Sequence, residues 1–277
     1  MSTNATRIES TIGHLVKALK TPTIGRVYAD LATTARTEGW SHEEYLAAVL
    51  DRQVTDREAN GTALRVAGAH FPGVKTLEDF NTDYQPGIRR DVLAHLAGCS
   101  FIAKAENVIL LGPPGVGKTH VAIGLGMKAC HAGYPVAFDT ASGWASRLAA
   151  AHDSRTGIEK ELKRLRRYRL LIIDELGYLP FDTQTANLFF QLVAARYEQG
   201  SILITSNLSF GRWGEVFGDD TVASAMIDRL VHHAEVLPMD GESYRTRTRR
   251  EMLSESESDD PGGVNLQPSI GVRFSRR

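Results

Sequence analysis

Residues 108–119 read Val-Ile-Leu-Leu-Gly-Pro-Pro-Gly-Val-Gly-Lys-Thr, an apolar run that turns abruptly into glycines and ends on Gly-Lys-Thr. Gly112, then Pro113, Pro114, Gly115 and Val116, then Gly117, Lys118 and Thr119 fill the pattern G-x-x-x-x-G-K-[ST] in full. That spacing suits the cradling of a phosphate. Glycines let backbone N–H groups close around anionic oxygens, Lys118 reaches the outer phosphates, and Thr119 offers a hydroxyl to Mg²⁺. The helix that follows, with His120 in its first turn, points its positive end at the anion. A glycine turn between strand and helix that holds no ligand is the competing reading. The rest of the chain decides against it.

Bulk properties narrow the class without naming it. The 277 residues are 42% hydrophobic and 23% charged, ordinary values for a globular protein of one large domain, or one plus an accessory unit. A net charge of −1 says nothing of an acidic partner, so any basic surface has to be local. Cys99 and Cys130 form no metal-ligand spacing and read as small buried residues in a reducing compartment. No signal segment opens the chain and no apolar run is long enough to span a bilayer, so the expectation is a cytoplasmic protein with no membrane partner.

Along the chain, residues 1–9 are polar and read as frayed. Ile12, Leu15, Val16 and Leu19 then recur at helical spacing until Pro22, and a second helix is expected over 24–37 with Gly39 as its stop. Ser41 and Glu44 form a capping box, with Trp40 placed as a hydrophobic staple. The helix they open carries Tyr45, Leu46, Val49, Leu50 and Val54 on one face and continues to about residue 69. Residues 1–70 therefore read as a helical N-terminal domain. Residues 71–87 read as a Pro/Gly-punctuated connector whose Phe80 or Tyr84 either covers a base or packs between domains. From residue 88 to 245, helical patterns alternate with continuous apolar runs at 134–138, 170–173, 201–205 and 234–237, which argues a parallel sheet covered on both faces. Residues 246–277 lack periodicity and read as a disordered tail.

Three further constellations carry chemistry. The run Leu170-Leu171-Ile172-Ile173 ends in Asp174 and Glu175, which places one carboxylate to hold Mg²⁺ and another to activate an attacking water. Ile202-Leu203-Ile204-Thr205-Ser206 ends in Asn207, which either orients that water or caps a turn. Arg229 lies beyond it, suited to reach a neighbouring subunit's phosphates, to stay solvated, or to pair with Asp228 or Asp220. Arg212 and Arg245 are lesser candidates. Finally Arg155, Lys160, Lys163, Arg164, Arg166, Arg167 and Arg169 stand against only Glu159 and Glu161, a stripe that either neutralises DNA phosphates or is a solvated helix face.

With these residues in hand, the chain resembles the IstB transposition helper ATPases of bacterial insertion sequences, AAA+ proteins related to the DnaC helicase loader and the DnaA initiator. The likeness is carried by residues 110–120, by 170–180 (Leu-Leu-Ile-Ile-Asp-Glu-Leu-Gly-Tyr-Leu-Pro), by 206–217 (Ser-Asn-Leu-Ser-Phe-Gly-Arg-Trp-Gly-Glu-Val-Phe) and by 225–237 (Ala-Met-Ile-Asp-Arg-Leu-Val-His-His-Ala-Glu-Val-Leu). It covers residues 11–245.

The resemblance implies an AAA+ P-loop NTPase core, a parallel sheet sandwiched by helices, that binds and hydrolyses ATP with Mg²⁺. It implies an ATP-dependent oligomer on double-stranded DNA, working with a transposase of the same mobile element. By the same resemblance Lys118 and Thr119 bind phosphate and metal, Asp174 and Glu175 are the metal and water-activating carboxylates, Asn207 is the first sensor, and Arg229 is a finger acting in trans. The basic stripe, Lys160, Lys163, Arg164, Arg166 and Arg167 above all, faces DNA. A DnaC-like replicative helicase loader is the alternative. The chain departs from many AAA+ proteins in leaving no room for a C-terminal lid, with Arg245 as a possible substitute for the second sensor.

Overall fold

A computed structural model describes residues 2–82, 85, 87–154, 157–241 and 243–244. Three helices come first: α1 (Ser2–Leu19), α2 (Pro22–Glu38) and α3 (His42–Ala69). The first starts well before its apolar stripe, because a helix once nucleated extends cheaply into polar residues. Pro22 ends α1 and also occupies the first turn of α2, where its missing N–H costs nothing. Gly39 closes α2 in the left-handed region at φ 71°, with its N–H on the Ala35 carbonyl. Both bonds of the Ser41–Glu44 capping box are present.

The apolar face expected on α3 is only partly used. Val49 is buried, whereas Leu46, Leu50 and Val54 are exposed. What turns inward beside Val49 is polar: Gln53 Oε1 accepts from the backbone N–H of Thr23 at 3.1 Å and of Ile24 at 3.4 Å. Thr21 makes no side-chain cap, so Gln53 satisfies donors that the first turn of α2 leaves orphaned. Asp56 completes the seam, accepting from Thr23 Oγ1 and Arg26. Farther along, Arg65 donates to the Cys130 carbonyl at 2.7 Å, and Val66 and Ala69 join the core of the α/β part. One continuous helix thus runs from the N-terminal helices into the sheet's packing.

The α/β part runs α4 (Arg90–Ala97), α5 (Ser100–Ala103), β1 (Asn107–Leu111), α6 (Lys118–His131), β2 (Val136–Thr140), α7 (Ala141–His152), α8 (Gly157–Leu165), β3 (Leu170–Leu176), α9 (Thr183–Arg196), β4 (Ser201–Ser206), α10 (Gly214–Phe217), α11 (Asp220–Val231) and β5 (Ala234–Pro238). All strand pairings are parallel, in the order β2-β3-β4-β1-β5. Alternate strand residues feed two cores. Leu110, Ile172 and Leu203 pack with Leu125 of α6 and with α4. Ile109, Leu171, Ile173, Ile202 and Ile204 pack with Trp144, Phe189, Trp213 and Met226 on the other face. Both faces are covered, which explains why these strands read as unbroken apolar runs. Cys99 and Cys130 are buried as expected, and burial pushes the Cys130 thiol up to about 11.

β2 begins two residues later than its apolar pattern and extends to Thr140, because Asp139 and Thr140 continue the ladder opposite Ile173 and Asp174. α8 stops at Leu165, short of residues 166–169 that continue its basic pattern, and a buried arginine holds the chain there. Arg196, 3% exposed, donates from Nη1 to the carbonyls of Leu165 (3.2 Å) and Tyr168 (2.6 Å), and from Nη2 to those of Arg169 (3.1 Å) and Ser201 (2.9 Å). Burial pulls its guanidinium down to about 10. It pins the end of α8 to the start of β4. Replacing it by methionine, Arg196→Met, removes four hydrogen bonds, although the Leu165 and Arg169 carbonyls keep a backbone donor each, and is expected to lower the unfolding free energy by roughly 2–4 kcal/mol in urea titrations; an unchanged midpoint would show that these bonds carry no stability.

Candidate nucleotide site

The ends of β1, β3 and β4 open on the same edge of the sheet. β1 lies where the chain leaves for β2 on one side and receives β5 on the other, the switch point at which open parallel sheets bind ligands. A cavity of about 750 Å³ sits there, walled by residues 115–120 of the phosphate loop, by Glu175, Tyr178 and Thr205 from the strand ends, and by connector residues that include Phe80 and Gln85. Its volume is that of a small-molecule site.

Gly117, at φ 97°, has to be glycine twice over: it is left-handed, and a Cβ there would lie 2.8 Å from the Phe80 ring. It precedes α6, whose N-terminal N–H groups face the loop. Val116 is 1% exposed and belongs to the core, so its contribution to a ligand is through the backbone. Gly112, Pro113 and Pro114 form the outer bend. Lys118 Nζ donates to the Gly112 carbonyl at 2.5 Å and the Pro113 carbonyl at 2.7 Å. Burial lowers the pKa of Lys118, opposed by the charge of Asp174. The ammonium is thus held by carbonyls alone at the point where an anion would compensate it.

Asp174, 3% exposed, is gripped from two sides. Thr119 Oγ1 donates to its carboxylate, 2.9 Å from Oδ2, and Thr205 Oγ1 donates to Oδ1. The same Thr205 oxygen accepts the Glu175 N–H at 2.9 Å. That bond holds Glu175 at φ 62°, an uncommon conformation for glutamate, where the β3–β4 ladder shifts register between Ile173 and Leu176. The shift leaves Asp174 inside and turns Glu175 out to line the cavity. Spacing gives Thr205 no role; the available signal is a hydroxyl directly after the apolar run Ile202-Leu203-Ile204.

His120 donates to or accepts from nothing in the loop; its Nε2 lies 2.7 Å from the Thr76 carbonyl, tying connector to α6. Phe80 packs on Gly117 and lies 5.5 Å from the His120 ring, so it is a packing residue that also borders the cavity. After β5 the chain returns over the loop, with Met239 N–H on the Leu111 carbonyl and Tyr244 N–H on the Gly115 carbonyl. Asn207 follows β4 but does not line the cavity. Its Oδ1 is buried without a partner, 2.6 Å from where a Cβ on Gly177 would be.

Arg229 is elsewhere: at the end of α11 it donates to the Ala225 carbonyl at 2.9 Å, with its guanidinium 4.8 Å from the centre of the Phe190 ring. Arg212 pairs with Glu215 at 2.8 Å. Lys160, Lys163, Arg164, Arg166 and Arg167 are all exposed on or just after α8. Among them Lys160, Lys163, Arg164 and Arg167 border a second hollow of about 880 Å³, with Arg147 and Glu161. Arg155, Tyr84, Arg245, the expected absence of a lid and the expected tail lie outside the described residues.

A parallel sheet in this order, with this loop at β1 and an acidic pair at β3, defines an AAA+ P-loop ATPase. Residues 14–252 match the family described as IstB-like ATP binding protein, and the chain belongs to that family. It is 43% identical over 236 residues to the ATP-binding protein of insertion sequence IS21 from Pseudomonas aeruginosa, covering 85% of this chain and 89% of that one. It is 38% identical to the corresponding protein of IS5376 from Geobacillus stearothermophilus, over 87% of this chain and 95% of that one. Among solved structures, AMPPCP-bound DnaA from Aquifex aeolicus superposes with a TM-score of 0.53 at 19% identity, over 72% of this chain and 58% of that one. That likeness concerns the fold. No helix among the described residues is long and apolar enough to cross a membrane.

The grip on Asp174 yields a measurable expectation. Thr205→Val keeps the shape of the side chain and removes both its hydrogen bonds, so ATP turnover is expected to fall at least tenfold. Nucleotide affinity in the absence of divalent metal should stay as it is; a variant with wild-type turnover would remove Thr205 from the site.

Proposed function

We propose that this ATPase assembles on double-stranded DNA when it binds ATP, and that the assembly recruits and activates a transposase encoded by the same mobile element. Hydrolysis to ADP and phosphate then resets it. The observation that carries this reading is the composition of the cavity wall. Among its described residues it holds two lysines, Lys75 and Lys118, the Thr119 hydroxyl with the buried Asp174 behind it, and the outward carboxylate of Glu175, but no arginine. Arg229 is not among the residues that line the cavity and rests on Phe190 instead, and in this reading it serves a neighbouring subunit's cavity. The insertion-sequence names of the relatives favour transposition over a helicase-loading role for the same engine.

In this mechanism the backbone N–H groups of residues 115–119 and the Lys118 ammonium bind the outer phosphates. Thr119 Oγ1 and Asp174 supply the hard oxygen ligands that Mg²⁺ takes, and the ion, when bound, neutralises charge on the transferred phosphoryl group. Glu175, held outward by Thr205, accepts the proton of the attacking water. Asn207 orients that water once its unpartnered side-chain oxygen turns toward it. The neighbour's Arg229 stabilises the transition-state charge. The exposed cations Lys160, Lys163, Arg164, Arg166 and Arg167 contact the DNA backbone without reading sequence. Residues 1–70 act as a helical unit, 71–87 as the connector, 88–245 as the ATPase domain and 246–277 as a tail.

Two experiments test this reading. Arg229→Ala should keep ATP affinity but lose hydrolysis by about a thousandfold. Mixing it with Lys118→Ala subunits, which still carry the arginine, should restore part of the activity; no restoration would argue against a finger acting in trans. Separately, replacing Lys163, Arg164 and Arg167 together by alanine should weaken ATP-dependent DNA binding equally for all sequences. It should also flatten the dependence of log affinity on log salt by roughly 2–3. An unchanged slope would place the DNA elsewhere.

A further inference from the structure

We infer that Gln85 reads the base of the bound nucleotide, accepting a hydrogen bond from the exocyclic amino group of adenine. This rests on ATP occupying the cavity through the phosphate loop. Gln85 lines that cavity, is 3% exposed, and has a buried side-chain oxygen with no hydrogen-bond partner. A buried acceptor left without a donor is costly, and native proteins keep few of them without a reason. Here the missing donor is the ligand's.

The residue is fixed in position relative to the phosphates. Its backbone is pinned on both sides, by Gln85 N–H to the Thr82 carbonyl and Ile88 N–H to the Gln85 carbonyl, both 3.0 Å, with Ile88 itself buried. The connector leading to it is bound to α6, the helix that starts at the phosphate loop. His120 meets the Thr76 carbonyl, Lys128 pairs with Glu78, and Leu77 sits against Gly124. Phosphates at residues 115–119 therefore leave the connector wall, with Gln85, as the place where the base of the same molecule lies. A side-chain amide offers an acceptor beside two donors. That set matches adenine, whose amino donor adjoins a ring-nitrogen acceptor, and glutamine–adenine pairing uses the same complementarity elsewhere.

The test compares ATP with purine riboside triphosphate, which differs only in carrying hydrogen in place of the 6-amino group. Wild-type protein should bind ATP about tenfold more tightly, and Gln85→Met, close in shape but without the amide, should bind the two equally. Inorganic tripolyphosphate is the control for an intact loop. Should Gln85→Met lose tripolyphosphate binding as well, Gln85→Glu takes its place: the accepting oxygen remains, so the preference for ATP should remain. Equal affinities in the wild type, a preference that survives in Gln85→Met, or one lost in Gln85→Glu would each overturn the assignment. A wild-type protein that binds neither ATP nor tripolyphosphate would instead overturn the reading of the cavity as the nucleotide site.

Discussion

The Asp174 carboxylate, held between the hydroxyls of Thr119 and Thr205, joins the three strand ends on which the site depends. Thr119 comes from the helix after β1, Asp174 from β3 and Thr205 from β4. A buried carboxylate is tolerated only where donors surround it, and these two hydroxyls reach it only if β1, β3 and β4 stand side by side in register. The apolar alternation of the strands sets that register from below. The carboxylate seals it at the top. From the same Thr205 oxygen follows the unusual backbone of Glu175, and from that backbone follows the placement of one acidic side chain inside and the next outside.

A second dependence runs through the connector. It is stitched to α6 by His120, Lys128 and Leu77, and it packs Phe80 against Gly117, so the wall opposite the phosphates moves with the helix that binds them. α3 enters the same core through Arg65, Val66 and Ala69. A change at the phosphate loop is therefore mechanically linked to the N-terminal helices. The basic surface of α8 is fixed separately, by Arg196 on the carbonyls that follow it.

What could be read from the residues and what could not divide along a physical line. Gly112 to Thr119 and the strand ending in Asp174 are legible because each is a contiguous pattern whose chemistry needs its own neighbours. The sheet is legible because strands buried on both faces leave apolar runs. Thr205 and Gln85 are not legible, since their meaning depends on which strand or wall they face. Gln53 is similar: a polar residue in a helix reads as solvated until α2 is seen to need its oxygen. The helical period of α3 correctly gives a stripe of leucines and valines, but period alone does not say what covers it, and Leu46, Leu50 and Val54 are exposed. Arg229 could be placed on its helix from the sequence. The structure adds that it rests on Phe190, away from its own chain's cavity.

We propose that this ATP site is finished by a neighbouring subunit on DNA. Electron cryomicroscopy of the protein with duplex DNA and a non-hydrolysable ATP analogue tests it most directly. The expected result is an ordered assembly on DNA that needs the nucleotide, with Arg229 of one subunit at the phosphates bound by Lys118 of the next. Single subunits on DNA, or an assembly in which Arg229 stays on Phe190 and no cation from a neighbour enters the cavity, would contradict it.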